Sequence, residues 1–213
     1  MRGSPPQNAR STRAALAGRP GVYCPGALFV ALPERLSPGP KWLLVAIMAA
    51  LLIAGWISHH LGRANLNQRI GYLLSAAITV ALAWSLFALV SSLPAHKQSA
   101  TNLLRAGSVL WAANILVFAS WYWRLDAGGP HQRAARGHHR EGAFLFPQMT
   151  REHAIAWRPG FVDYLFVAFN TSTAFSPTDV SPLSRWAKVL MMTQSLISLT
   201  TIGVLVSRAV NIL

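Results

Sequence analysis

The residues that could do chemistry crowd into one stretch, FVDYLFVAFNTSTAFSPTDVSPLSRW, from Phe161 to Trp186. An apolar segment, Phe161 to Phe175, closes on the polar residues Asn170, Thr171, Ser172 and Thr173, and a break follows at Ser176-Pro177, then Asp179 and Pro182. About fifteen residues are too few to cross a bilayer and fall in the range of re-entrant or interfacial segments. Irregular backbone at membrane depth survives only where protein or water satisfies its polar groups. The hydroxyls and carbonyls of Thr171, Thr173, Ser176 and Thr178, with the carboxylate of Asp179, are the groups that could meet an ion or water at such a turn. Gln194, on the helix that follows, would stand behind them.

Each of these signals has a plainer use. Asp163 and Asp179 could form a cation-attracting ring at the mouth of an oligomeric pore. Asp163 could equally complement the dipole at the start of a half-helix, with Asp179 capping the turn before the last span. Thr193, Gln194, Ser198 and Thr201 fall largely on one face of that span, the last three at helical spacing, and could line a water path. Polar and small residues in membranes more often hold helices together, and Gly203 with Ser207 fits small-xxx-small packing.

Catalysis finds little footing. The chain has no G-x-S-x-G elbow, no P-loop and no H-E-x-x-H. The apolar blocks hold no Asp or Glu in their interiors, which disfavours a proton-coupled transporter. His131, His138, His139 and His153 lie near Glu141 and Glu152, but two adjacent histidines cannot both face a metal from one helix. Cys24 is the only cysteine, so neither an internal disulfide nor a thiolate cluster can form. The expectation is a protein that is not an enzyme and carries no metal or cofactor.

The elements that must position these residues are membrane helices. Of 213 residues, 53% are hydrophobic and only 12% charged, against roughly 25% charged in soluble domains. The formal net charge is +13, from 19 Lys and Arg against 6 Asp and Glu. Those charges sit between apolar blocks with no basic stripe of interleaved aromatics, so anionic headgroups are the expected partner and nucleic acid is not. Residues 1–40, rich in Pro, Gly, Ser, Ala and Arg, read as a disordered basic tail. Residues 41–123 carry three spans: Trp42 to Ile57, Ile70 to Leu93 and Leu103 to Trp123, the last ending in an interfacial belt of Trp121, Tyr122 and Trp123. Residues 124–160 read as a polar, basic loop, and residues 161–213 as a half-helix plus a last span from Ala187 to about Arg208. The fold class is all-α membrane, with about four transmembrane helices and a re-entrant half-helix before the last. No internal repeat suggests an inverted-repeat transporter. Lys and Arg divide almost evenly between the two sides, and the charges of the tail beside the first span favour both termini inside.

The order Tyr164, Thr171, Thr173, Asp179, Pro182 resembles the pore loop of two-span potassium channels, T-x-T-T-V-G-Y-G-D-x-x-P. Aligned on Asp179, residues 174–178 lie over the family's filter, but Ser176 and Thr178 replace its glycines and Pro177 fixes φ and removes a donor. A potassium-selective filter is therefore not expected. A wider resemblance, from Trp121 to Leu213, is to an uncharacterised bacterial family of multi-pass membrane proteins, through YWRLDAGGP, FLFPQM, the Phe161 to Leu199 stretch and a closing RAVNIL. That likeness implies a fold and a cell-membrane location but brings no activity. By analogy with the channels, the C-terminal part would be a degenerate pore module working as a homo-oligomer, a tetramer in the channel pattern, with a monovalent cation as its partner. The alternative is a non-conducting membrane scaffold whose hairpin is merely packed and whose basic segments bind anionic lipid or a protein.

Overall fold

The computed structural model describes residues 64–92, 100–135, 142–150, 157–173 and 180–210, with scattered helical positions between residues 46 and 57. The basic tail, most of the first expected span, and Ser176, Thr178 and Asp179 lie outside the described residues, as do His138, His139 and His153.

The fold is all-α. Helix α1 runs Ala64–Ser91 and α2 runs Ala100–Leu125; α3 is the short Pro130–Ala135, α4 is Phe161–Thr173 and α5 is Arg185–Val210. Among the described residues, three helical stretches are long and apolar enough to cross a membrane, Gln68–Ser91, Thr101–Gly128 and Arg185–Ser207. The only strands among the described residues form a two-residue antiparallel pair, β1 (Phe144–Leu145) with β2 (Ser181–Pro182), in which Phe144 faces Pro182.

Local sequence explains where each element begins and stops. Helix α1 is Ala- and Leu-rich without a proline, and it closes on Ser92, whose amide donates to the carbonyls of Ala88 and Leu89 just ahead of Pro94. Helix α2 ends at Asp126-Ala127-Gly128-Gly129-Pro130, where three successive residues take positive φ: 48° at Ala127, 81° at Gly128 and 89° at Gly129. Two glycines make that turn cheap, and Pro130 opens α3 at the first helical position, where a missing N–H costs nothing. Helix α4 starts on a reciprocal cap, with the Gly160 amide donating to the Asp163 carboxylate (2.7 Å) and the Asp163 amide to the Gly160 carbonyl (3.2 Å). Ser184 opens α5, its hydroxyl accepting from the Ala187 amide.

Helix α2 is the hub, packed against α1, α4 and α5, and the half-helix α4 is wedged between α2 and α5. Small residues on α2 permit this. A Cβ at Gly107 would come within 2.5 Å of the Leu205 side chain, so the bare backbone lets α5 close in. The core runs from Leu103, Ala106, Leu110 and Ala113 in α2 to Tyr122, then through Phe144, Phe146 and Tyr164. Part of the stretch expected as polar loop therefore folds into the bundle: Arg124, Asp126 and Arg133 are buried, and Phe144 is fully so.

Candidate functional site

Two buried polar clusters lie along α4, one at each end. The first surrounds Gln194. Its side chain is fully buried and every polar atom is engaged: Nε2 donates to the Ala168 carbonyl (2.7 Å) and the Ser172 hydroxyl (2.8 Å), and Oε1 accepts from the Tyr122 hydroxyl (2.6 Å). Asn114, in the middle of α2, donates from Nδ2 to the Ser172 hydroxyl (3.3 Å) and the Gln194 carbonyl (3.2 Å). One amide on α5 and one on α2 thus clamp the same serine on α4.

The C-terminal end of α4 is closed by the same neighbours. A helix leaves its last four carbonyls without intrahelical donors. Here the Thr171 carbonyl accepts from Ser195 (3.4 Å) and the Ser172 carbonyl from Ser198 (2.5 Å), both on α5. The Thr173 hydroxyl is shared between the carbonyls of Phe169 and Asn170, each at 3.2 Å. One acceptor stays open: Asn114 Oδ1 is buried with no hydrogen-bond partner among the described residues.

Of the residues expected to form a pore turn, Thr171, Thr173 and Gln194 are described, and they belong to this one neighbourhood. Thr171 and Thr173 send their hydroxyls back to carbonyls of their own helix, and Gln194 reaches across to α4 and α2 rather than outward. Ser176, Thr178 and Asp179 fall between α4 and β2, outside the described residues. Along α5, Gln194, Ser198 and Thr201 share the buried face, whereas Thr193 is exposed and back-bonded to Val189.

The second cluster sits where α4 begins. Asp126 is fully buried; one carboxylate oxygen accepts from the Ala143 amide and the other from the Tyr164 hydroxyl (2.5 Å). A Cβ on Gly142 would strike that carboxylate, so the approach of residues 142–143 depends on a glycine there. The Arg133 guanidinium donates to the carbonyls of Asp126 and Trp123 and lies 5.2 Å from the centre of the Tyr164 ring. Arg133 thereby supplies donors to carbonyls orphaned by the end of α2. Burial pushes the Tyr164 phenol far above its ordinary range; Arg133 opposes that shift and Asp126 adds to it. Burial also lowers the Arg133 guanidinium, against the opposing pull of Tyr164 and Asp126. Rings pack this end shut, with Phe144 against Tyr122, Tyr164 and Trp186, and Trp123 edge-on to Phe161.

Sequence reasoning assigned no role to Asn114, Asp126 or Arg133 and marked Ser172 only as one of the polar residues closing the apolar segment. It pointed to an interfacial belt at Tyr122 and Trp123, both of which are instead buried in the bundle. An asparagine in the middle of an apolar span was a usable signal, because such a residue needs a partner in the membrane. Asp126, in a run of Gly and Pro, gave none. No protein-family model, curated protein or solved structure matches the chain.

Proposed function

We propose that this chain is a non-enzymatic, non-conducting scaffold of a cell membrane, in which the half-helix is a packed structural element. The observation that carries this reading is the closure of the polar end of α4 by its own subunit. Carbonyls at the end of a half-helix can coordinate a cation when they face a cavity. Here those of residues 170–172 accept hydroxyls of Thr173, Ser195 and Ser198, and Gln194 is fully engaged beside them. A scaffold needs such internal satisfaction, because lipid supplies no hydrogen bonds.

A channel-like pore module is the second reading, favoured by one feature: a 13-residue half-helix stands directly before a long apolar helix. Cation flux into vesicles separates the two. The purified chain, reconstituted beside an Asp179→Asn variant, should show no flux above protein-free vesicles across several monovalent ions and voltages. Flux that falls in the variant would overturn the scaffold and restore the pore, with a homo-oligomer as its form.

A further inference from the structure

The described cations are not spread evenly over the bundle. The Gln68 amide donates to the Gly128 carbonyl, so α1 begins where α2 ends. The Trp123–Phe161 and Phe144–Trp186 ring contacts bring the starts of α4 and α5 to that same end. Exposed Arg69, Arg158, Arg185 and Lys188 all lie there, with buried Arg124 and Arg133 behind them. Among the described residues this end holds two carboxylates, Asp126, which accepts from the Ala143 amide and the Tyr164 hydroxyl, and Asp163, which accepts from the Gly160 amide. At the opposite end, where α1 stops, α2 starts and α5 finishes, the described helices carry only Arg105 and Arg208.

Arg185 and Lys188 are not placed for the sake of their helix. They fall in the first turn of α5, which holds no acid, where the macrodipole disfavours positive charge. Trp186 between them is 36% exposed, rests its ring against Phe144 and keeps an edge free, as an interfacial tryptophan does. Exposed positive charge, an aromatic at the same level and a lipid-ready apolar helix below make a surface complementary to negative headgroups.

We infer that Arg69, Arg158, Arg185 and Lys188, with Trp186, form a collar for anionic phospholipid, and that this end of the bundle faces the cytoplasm. The inference requires only that the apolar helices lie in a membrane, so it holds whether or not the chain conducts. It places the α2–α4 connection inside and the α1–α2 connection outside, opposite to what the charges of the N-terminal tail favour. The connections outweigh the tail because the positive-inside bias is set by charges within about 15–20 residues of the span ends, and of the tail's basic residues only Arg35, with Lys41 beside it, lies that near Trp42.

The test has two arms on the full chain. In the first, thermal unfolding is followed in vesicles of phosphatidylcholine alone and of phosphatidylcholine with phosphatidylglycerol. The anionic lipid should raise Tm; Arg185→Gln with Lys188→Gln should abolish most of the rise, and Arg105→Gln should leave it. Each charge removed weakens the lipid preference about fivefold, from ~1 kcal/mol per basic residue near the surface. An equal rise in the double variant, or no rise at all, overturns the collar. Both substituted residues are exposed, so the fold itself is preserved. In the second arm, with Cys24→Ser, single cysteines Gln148→Cys and Thr101→Cys meet an impermeant maleimide in intact cells. Labelling at 101 and protection at 148 is expected, and the reverse pattern overturns the orientation.

Discussion

At Gln194 three hydrogen bonds converge on one side chain of α5, two shared with α4 and one with α2. A single interhelical hydrogen bond in a membrane protein contributes about 0.6 kcal/mol on average, whereas a donor or acceptor left buried without a partner costs about 1–3 kcal/mol. Gln194→Leu, which removes three bonds and orphans the Tyr122 hydroxyl, should therefore destabilise the protein by about 2 kcal/mol in micelle unfolding. A loss below roughly 0.5 kcal/mol, the level of a neutral surface change, would mean that the cluster does not hold the bundle. Tyr164 makes a different prediction, in pH. Its folded value lies above the ordinary tyrosine value of 10.0, so the neutral phenol contributes fully while both states keep their proton. As pH rises past that value the unfolded chain loses the proton first, and stability falls. Tyr164→Phe should flatten the alkaline limb of a stability–pH curve, while lowering stability at neutral pH through the donor lost to Asp126. An alkaline limb of unchanged slope would show that Tyr164 is not the group responsible.

A glycine in the turn after α2 and one inside α5 are not equivalent. Gly129 has φ of 89°, and a Cβ there would lie 2.8 Å from the Arg124 carbonyl oxygen, a backbone atom that cannot yield. Gly203 lies within α5 with nothing within 4 Å of its Cβ position. Gly129→Ala should cost about 1–3 kcal/mol, the range for a strained backbone position. Gly203→Ala should be neutral or should stabilise by up to about 1 kcal/mol through helix propensity. Thermal unfolding of the pair in one detergent checks both. At this scale much was legible in the chain beforehand. The long apolar runs marked three of the helices, the short run from Phe161 marked α4, and the aromatic group closing on Trp123 marked the end of α2, which stops at Leu125. What stayed hidden was the burial of residues inside polar stretches. Asp126 looks solvated until it meets Ala143, 17 residues on, and Tyr164, 38 residues on. Asn114 finds its partners at separations of 58 and 80. Periodicity reports on a helix's own faces, and such partners lie on another helix altogether.

For the whole molecule, the apolar helices divide by what covers them. Helix α2 is mostly buried, whereas α5 turns Val189, Met192, Leu196, Leu199 and Val206 outward, all of them exposed. In water such a surface would drive aggregation; in a bilayer it is the expected boundary with lipid tails. The membrane therefore completes this fold rather than merely hosting it. Transfer into a detergent too small to cover α5 should loosen α5 before α2, seen as earlier hydrogen exchange along residues 189–206 than along residues 106–122.

The short helix α4 has a final consequence, which concerns what the gene can tolerate. Its 13 residues are fixed at one end by the Gly160–Asp163 cap and at the other by the grip of Gln194 on Ala168 and Ser172. Adding or removing one residue between those anchors would rotate the far end by about 100°. Ser172 would swing out of reach of both amides, and a bulkier threonine, Thr171 after an insertion or Thr173 after a deletion, would face them instead. Substitutions between the anchors can accumulate one at a time, but a change in length cannot. The interval from Gly160 to Ser172 should therefore keep a constant number of residues however far its letters drift.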